Sequence, residues 1–147
     1  MRLRPLSAAE AEAIASWRYP GEYATYDCED AAALLATGEY YAAVRGDEVI
    51  GYCSFGSTAR VGDMRQEDGV VDVGWGLRPD LMGRGLGPRL IGEALSLGRQ
   101  LHTPQDFRIA VLRWNVRAQR APEKLGFRET GLVTADGDDY VLMTRPA

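Results

Sequence analysis

The sequence is short of the residues on which many chemistries depend. Histidine occurs once, as His102, and cysteine twice, as Cys28 and Cys53. A Ser-His-Asp triad would have only His102 to use, and no nucleophile-elbow motif accompanies it. His102 follows a long helical stretch, where it suits the negative end of the helix dipole. Two cysteines suggest neither a disulfide framework nor a metal set. Cys53, in an apolar strand, reads as a small buried hydrophobe, and no metal is expected. Long apolar runs are missing, and MRLRPLSAAEAE at the start lacks the apolar core of a signal peptide. No membrane contact and a cytoplasmic location are therefore expected. The net charge of −4 argues against a general nucleic-acid surface and is compatible with a cationic substrate. No repeat, linker or low-complexity segment divides the 147 residues, so 1–147 is read as one domain with a real core.

What is present concentrates in Val70–Leu101, VVDVGWGLRPDLMGRGLGPRLIGEALSLGRQL. Val70–Leu77 reads as a strand. From about Gly87 to Leu101, Leu90, Ile91, Ala94, Leu95 and Leu101 share one helical face, with Arg89, Glu93 and Arg99 on the other. Between them Gly83, Gly85 and Gly87 alternate with Arg84 and Leu86. Glycines at such a junction let main-chain N–H groups converge, and a helix N-terminus adds unpaired donors and a positive dipole end. Together they make a cradle for a pyrophosphate; the bland alternative is a tight glycine turn without a ligand. A Walker A loop is excluded, because Gly87 is followed by Pro88 and Arg89, and the dinucleotide fingerprint fails on spacing. Gly74 and Gly76 bracket Trp75 inside the strand, which predicts a bulge or a close backbone approach. A strand that splays there would expose unpaired N–H and C=O groups to an extended ligand with amides of its own. Pantetheine is such a ligand, and coenzyme A joins it to a pyrophosphate. The alternative is that the two glycines only relieve crowding against a helix.

The remaining elements follow in order. Arg2–Leu6 reads as a strand, and Ser7–Glu10 is a capping box opening a helix to about Arg18. Tyr19–Tyr26 reads as a loop. Asp27 is expected to cap a helix Cys28–Thr37 that ends at Gly38. Glu39–Arg45 and Glu48–Ser57 form a hairpin through Gly46-Asp47, and Thr58–Gly69 is irregular. Phe107–Leu112 is a strand, Asn115–Leu125 a short helix, and Phe127–Thr134 with Tyr140–Arg145 a last hairpin around Ala135–Asp139. This predicts an α/β (α+β type) fold: a mixed sheet of six to seven strands with about four helices on both faces. The central strand and Phe107–Leu112 should lie parallel and adjacent.

Two motifs in this order resemble those of the GCN5-related N-acetyltransferase (GNAT) superfamily, over nearly the whole chain. LRPDLMGRGLG, Leu77–Gly87, looks like its acetyl-CoA loop, usually Gln/Arg-x-x-Gly-x-Gly/Ala. NVRAQRAPEKLGF, Asn115–Phe127, looks like its later Asn-led helix. The resemblance implies a single GNAT domain with strands splayed at an acyl-CoA cleft, and acetyl-CoA as co-substrate. It implies cofactor contacts at Trp75, Gly76, Leu77, Met82, Gly83, Arg84, Gly85, Leu86, Gly87 and Asn115. Two positions depart from the pattern. Met82 stands at the Gln/Arg position, which a cradle of main-chain donors from Leu81 to Gly87 tolerates. Pro122 stands where many relatives carry a tyrosine that protonates the leaving thiolate, and proline brings no proton.

The expected reaction moves an acetyl group to a primary amine by direct attack in a ternary complex. A protonated amine must first lose a proton. Asp72 resembles the acidic residue of many relatives and is the expected base, with Glu67 and Asp68 as alternatives. An N–H near Leu77 would bind the developing oxyanion. Asn115 would bond the pantetheine arm or cap its own helix, and Tyr23 and Tyr26 are candidate acceptor-site residues or a substitute acid. The competing reading is a non-catalytic acyl-CoA-binding or sensing domain. Acceptor identity, acyl preference and a homodimer through the last hairpin are left open.

Overall fold

The computed structural model describes residues 1–147. Seven strands form one mixed sheet: β1 (Arg2–Pro5), β2 (Tyr40–Arg45), β3 (Glu48–Phe55), β4 (Val70–Leu77), β5 (Asp106–Leu112), β6 (Arg128–Ala135) and β7 (Asp138–Pro146). Their spatial order is β1-β2-β3-β4-β5-β7-β6. Only β4 and β5 run parallel; the other neighbours are antiparallel. The single right of way between parallel strands is the crossover through the long helix α3 (Gly87–His102), as the sequence predicts. Three further α-helices complete the layers: α1 (Ala8–Ala15), α2 (Ala31–Ala36) and α4 (Val116–Lys124).

Side-chain alternation along β4 explains why helices lie on both faces. Val73 points to α3 and joins Ile91, Leu95, Phe107, Ile109 and Phe127 in the main core. Each such large side chain contributes about 1.5–3 kcal/mol by leaving water. On the opposite face α1 and α2 cover a smaller core of Ile14, Trp17, Tyr19 and Leu34, edged by Tyr40 and Tyr52. The α1 start is the predicted capping box. Ser7 Oγ accepts from the Glu10 N–H at 3.2 Å, and Glu10 Oε1 accepts from the Ser7 N–H at 3.0 Å.

Three local expectations are corrected. The second helix is shorter than predicted and is capped by Asp30, whose carboxylate accepts from the Ala33 N–H at 3.1 Å. Asp27 instead accepts from the Tyr19 N–H at 2.9 Å, because Gly21–Tyr26 folds as a 3₁₀ helix and brings the two ends of that turn together. The last hairpin closes on Asp136-Gly137, both at positive φ (52° and 82°), so its strands run further toward the tip than the loop Ala135–Asp139 allowed. Finally, Gly74 and Gly76 mark no bulge. They pair with Ser54 and Tyr52 in unbroken register along β3. A Cβ on Gly76 would lie 2.5 Å from the Tyr52 ring, so the glycine makes room for a cross-strand tyrosine.

Candidate active site

The strands do splay, on the other side of β4. Val70, Val71 and Asp72 pair with Asp106, Phe107 and Arg108, and pairing ends there. Beyond that rung β4 stays with β3 and β5 with β7, and a cavity of about 570 Å³ opens between them. Its walls are Gly74–Leu77 on one side and Ala110–Leu112 on the other.

One end of the cavity is the glycine turn. Gly83 and Gly85 sit at φ +75° and +78°, a conformation that costs an L side chain strain. The N–H groups of Leu81 and Met82 are taken by Arg78 and Pro79 carbonyls, so the run of free donors starts later than expected. From Gly83 to Gly87 no main-chain N–H meets a main-chain acceptor, and no side chain caps α3. These donors face the positive end of the α3 dipole. Met82, Gly83, Gly85, Leu86 and Gly87 line the cavity; Arg84 does not and is exposed, as is Arg89. The positive side chains come instead from α4. Arg117, Arg120 and Lys124 lie at i, i+3 and i+7 on the helix face toward the cavity. Arg117 reaches across to the turn: a Cβ on Gly83 would be 3.0 Å from its Nη1. That helical spacing is readable in NVRAQRAPEK.

The other end is lined by tyrosines. Tyr19, Tyr26, Tyr40, Tyr52 and Tyr140 all face the cavity. The Tyr19 hydroxyl donates to the Leu77 carbonyl at 2.5 Å, tying the 3₁₀ segment to the end of β4. Asn115 Oδ1 accepts from the Ala118 N–H at 3.1 Å and so caps α4, while its Nδ2 donates to the Tyr26 hydroxyl at 2.8 Å. Both ends of the Asn115 amide are thus engaged within the protein. Tyr26 accepts that bond and keeps its own proton free to donate. Burial pushes Tyr26, Tyr19, Tyr40 and Tyr52 above the usual tyrosine range, so all four hold their protons at neutral pH. Tyr23 stands outside the cavity, stacked on Tyr26 and edge-on to Trp114, with the Arg117 guanidinium 5.3 Å above its ring. Trp75 lines the cavity and packs into the main core.

Asp72 is not where the expected base would be. It is 1% exposed and lies outside the cavity lining. Arg108 donates to it through Nε at 2.6 Å and Nη2 at 3.1 Å, and Arg60 through Nη1 at 3.1 Å. The reason is register: Asp72 faces Arg108 across the last paired rung, and a buried carboxylate takes the cations offered to it. Glu67 bonds the same Arg108 at 2.9 Å, and Asp68 is exposed and outside the lining. Pro122 is buried in α4, also outside the lining.

The sequence matches the model of the acetyltransferase (GNAT) domain over residues 1–128. Among solved structures, the aminoglycoside acetyltransferase AAC(6')-Ib in complex with coenzyme A and kanamycin is similar with a TM-score of 0.79 and 23% identity, covering 99% of this chain and 94% of that one. A GNAT-family acetyltransferase from Bacillus anthracis has a TM-score of 0.77 at 14% identity, covering 99% and 95%. A chimera of Vibrio cholerae spermidine N-acetyltransferase SpeG and hSSAT has a TM-score of 0.74 at 16% identity, covering 99% and 96%. No curated protein matches the sequence. With the family model spanning most of its length and the same fold throughout, the chain belongs to the GNAT acetyltransferase family.

Proposed function

We propose that the chain uses acetyl-CoA to acetylate a primary amine by direct attack in a ternary complex. The observation that carries this is the continuity of one cavity. It joins unpaired main-chain donors faced by three cations, through a gap between parted strands, to a chamber of protonated phenols. Coenzyme A and its acetylated form occur in the similar AAC(6')-Ib structures. In this reading the Gly83–Gly87 amides hold the diphosphate, with Arg117 and Arg120 adding charge. The free edge of β4 from Gly74 to Leu77 takes the pantetheine amides as a surrogate strand. The thioester carbonyl then sits near Trp75 to Leu77. The neutral amine attacks its carbon and the oxyanion draws on a β4 N–H; the new ammonium nitrogen sheds its proton to water, and the C–S bond breaks with its electron pair on sulfur, leaving amide and thiolate. Tyr26, its oxygen already bonded by Asn115, donates its O–H toward that sulfur. A phenol raised by burial gives a hydrogen bond more readily than its proton, and a thiolate of ordinary pKa about 8.5 leaves with that help.

A non-catalytic acyl-CoA-binding domain remains the second reading, because no carboxylate or imidazole lines the cavity. Calorimetry with coenzyme A and thiol release from acetyl-CoA over an amine panel separate the two. Saturable binding with amine-dependent thiol release supports the enzyme; binding without release for any amine supports the sensor. In the enzyme, Tyr26→Phe should lower kcat by about 10²-fold, in the lower range for a positioned acid, and leave coenzyme A affinity within about twofold. An unaffected kcat would remove Tyr26 from the reaction.

A further inference from the structure

The two ends of the cavity differ in charge. All of its charged lining residues, Arg117, Arg120 and Lys124, are cationic and belong to α4. The tyrosine chamber contains no Asp, Glu or His. Two carboxylates close to it are already engaged, and Asp138, whose charge acts on Tyr26 and Tyr140, lies outside the lining on β7. Asp27 accepts from the Tyr19 N–H, and Glu39 from the Ser57 hydroxyl and the Thr58 N–H. A polyamine or aminoglycoside brought here would lose water around several ammonium groups with no carboxylate in the lining to meet them. Tyrosine faces can hold one cation by cation–π attraction, but not several.

The chamber also lacks a base. At pH 7.5 about a third of an α-amine of pKa near 7.8 is neutral, against about a thousandth of a lysine-like amine of pKa 10.4. A site that supplies no base therefore favours the weaker amine by about two orders of magnitude in reactive form. One polar group is left over. The Thr58 hydroxyl lines the cavity with its oxygen buried; Tyr40 and the Glu39 carboxylate stand beside it, but neither meets it in good hydrogen-bond geometry. Buried polar atoms without partners are uncommon and mark a place where a ligand or water completes the bonding.

We propose that the acceptor is a monoamine of low basicity on an uncharged, aromatic or apolar body, seated among Tyr19, Tyr26, Tyr40 and Tyr52, with one polar group bonded to the Thr58 hydroxyl. This rests on the acetyltransferase reading above. An α-amino amide has these properties.

The test is steady-state thiol release from acetyl-CoA with four probes: phenylalaninamide, phenethylamine, spermidine and kanamycin. Phenylalaninamide should exceed phenethylamine at least tenfold in kcat/KM at pH 7.5. The ratio should shrink as pH rises toward 9.5, where the α-amine is almost wholly neutral and about a tenth of a lysine-like amine is neutral as well. Spermidine and kanamycin should not saturate at millimolar concentration. Thr58→Val should raise the KM for phenylalaninamide at least fivefold with kcat within twofold, and its melting temperature should not fall. Saturation by either polycation, parity of the two aromatic amines across pH, or an unchanged KM in the stable Thr58→Val protein each overturns the proposal while leaving the acetyltransferase reading intact. Coenzyme A binding without thiol release from any probe or any wider amine overturns both.

Discussion

Asp72→Asn separates a structural carboxylate from a catalytic one. The substitution keeps the shape of the side chain and removes its charge. It leaves Arg108, 7% exposed, and Arg60 facing a neutral amide where they now face a carboxylate at 2.6–3.1 Å. Breaking a buried ion pair from one side costs about 3–5 kcal/mol. The lower end applies here, because Arg108 keeps Glu67 and the Arg65 carbonyl, and the Arg60 side chain is 20% exposed. For a domain of this size about 3 kcal/mol corresponds to a fall of roughly 6–12 °C in melting temperature. Urea and thermal unfolding followed by circular dichroism read that loss. Turnover is then measured at a temperature where the variant is fully folded. It should stay within a few-fold of the parent, the residue being loss of rigidity at the fork between β4 and β5. A melting temperature within about 2 °C of the parent would refute the burial argument. A folded variant slowed by about 10²-fold or more would restore Asp72 as a base and refute the geometric one.

Three other outcomes are expected. Arg120→Ala should weaken coenzyme A binding by about 1.5 kcal/mol, roughly tenfold, and flatten the salt dependence of the dissociation constant measured by calorimetry; Arg84→Ala, at an exposed position outside the cavity, should change it by less than twofold. Gly85→Ala places its Cβ in open space but at φ +78°, so it should cost about 1–2 kcal/mol of stability, checked by urea denaturation; Gly85→Glu should abolish coenzyme A binding by setting a like charge in the cradle. Raised tyrosine pKa values make the folded state the better proton binder above pH 10. The stability that Tyr19, Tyr26, Tyr40 and Tyr52 contribute is therefore full below the unfolded pKa near 10 and is lost as pH rises through the folded values. Phenolate absorbance from these four should appear together with the loss of circular dichroism; ionisation near pH 10 in a still-folded protein would contradict their burial.

The parts of this fold legible in the sequence were those written in local periodicity. The α3 stripe, the Ser7–Glu10 capping box, the Gly46-Asp47 hairpin and the parallel crossover each follow from neighbours in the chain. The glycine turn belongs with them, since positive φ at Gly83 and Gly85 is a property of the residues themselves. What was not legible depends on partners far away in sequence. Asp72 is the expected base through its resemblance to the acidic residue of many relatives; its surroundings are set by Arg108, 36 residues later, in the facing register position. Gly76 looked like a bulge because its reason, the Tyr52 ring, sits on another strand. Asn115 and Tyr26 are 89 residues apart, and nothing local says that they bond. The α4 cations were within reach of the sequence, since their spacing alone puts them on one face.

The same long-range contacts explain why the cavity stays open. Two strands with free edges normally pair to their ends, because an orphaned main-chain group is costly. Here pairing stops at Asp72 and Arg108, whose side chains form the final rung. Past it, the outward-facing carbonyl of Leu77 is taken by the Tyr19 hydroxyl instead of by β5. On the opposite edge β5 remains fully paired with β7, which holds it away. Gly74 and Gly76 bring no side chains to fill the gap, and they admit Ser54 and Tyr52 across their faces. The open edge is therefore stabilised by tyrosines and glycines that would be ill suited to an ordinary strand pair. In the acetyltransferase reading proposed above, the occupant of the gap supplies the amide partners that β5 withholds.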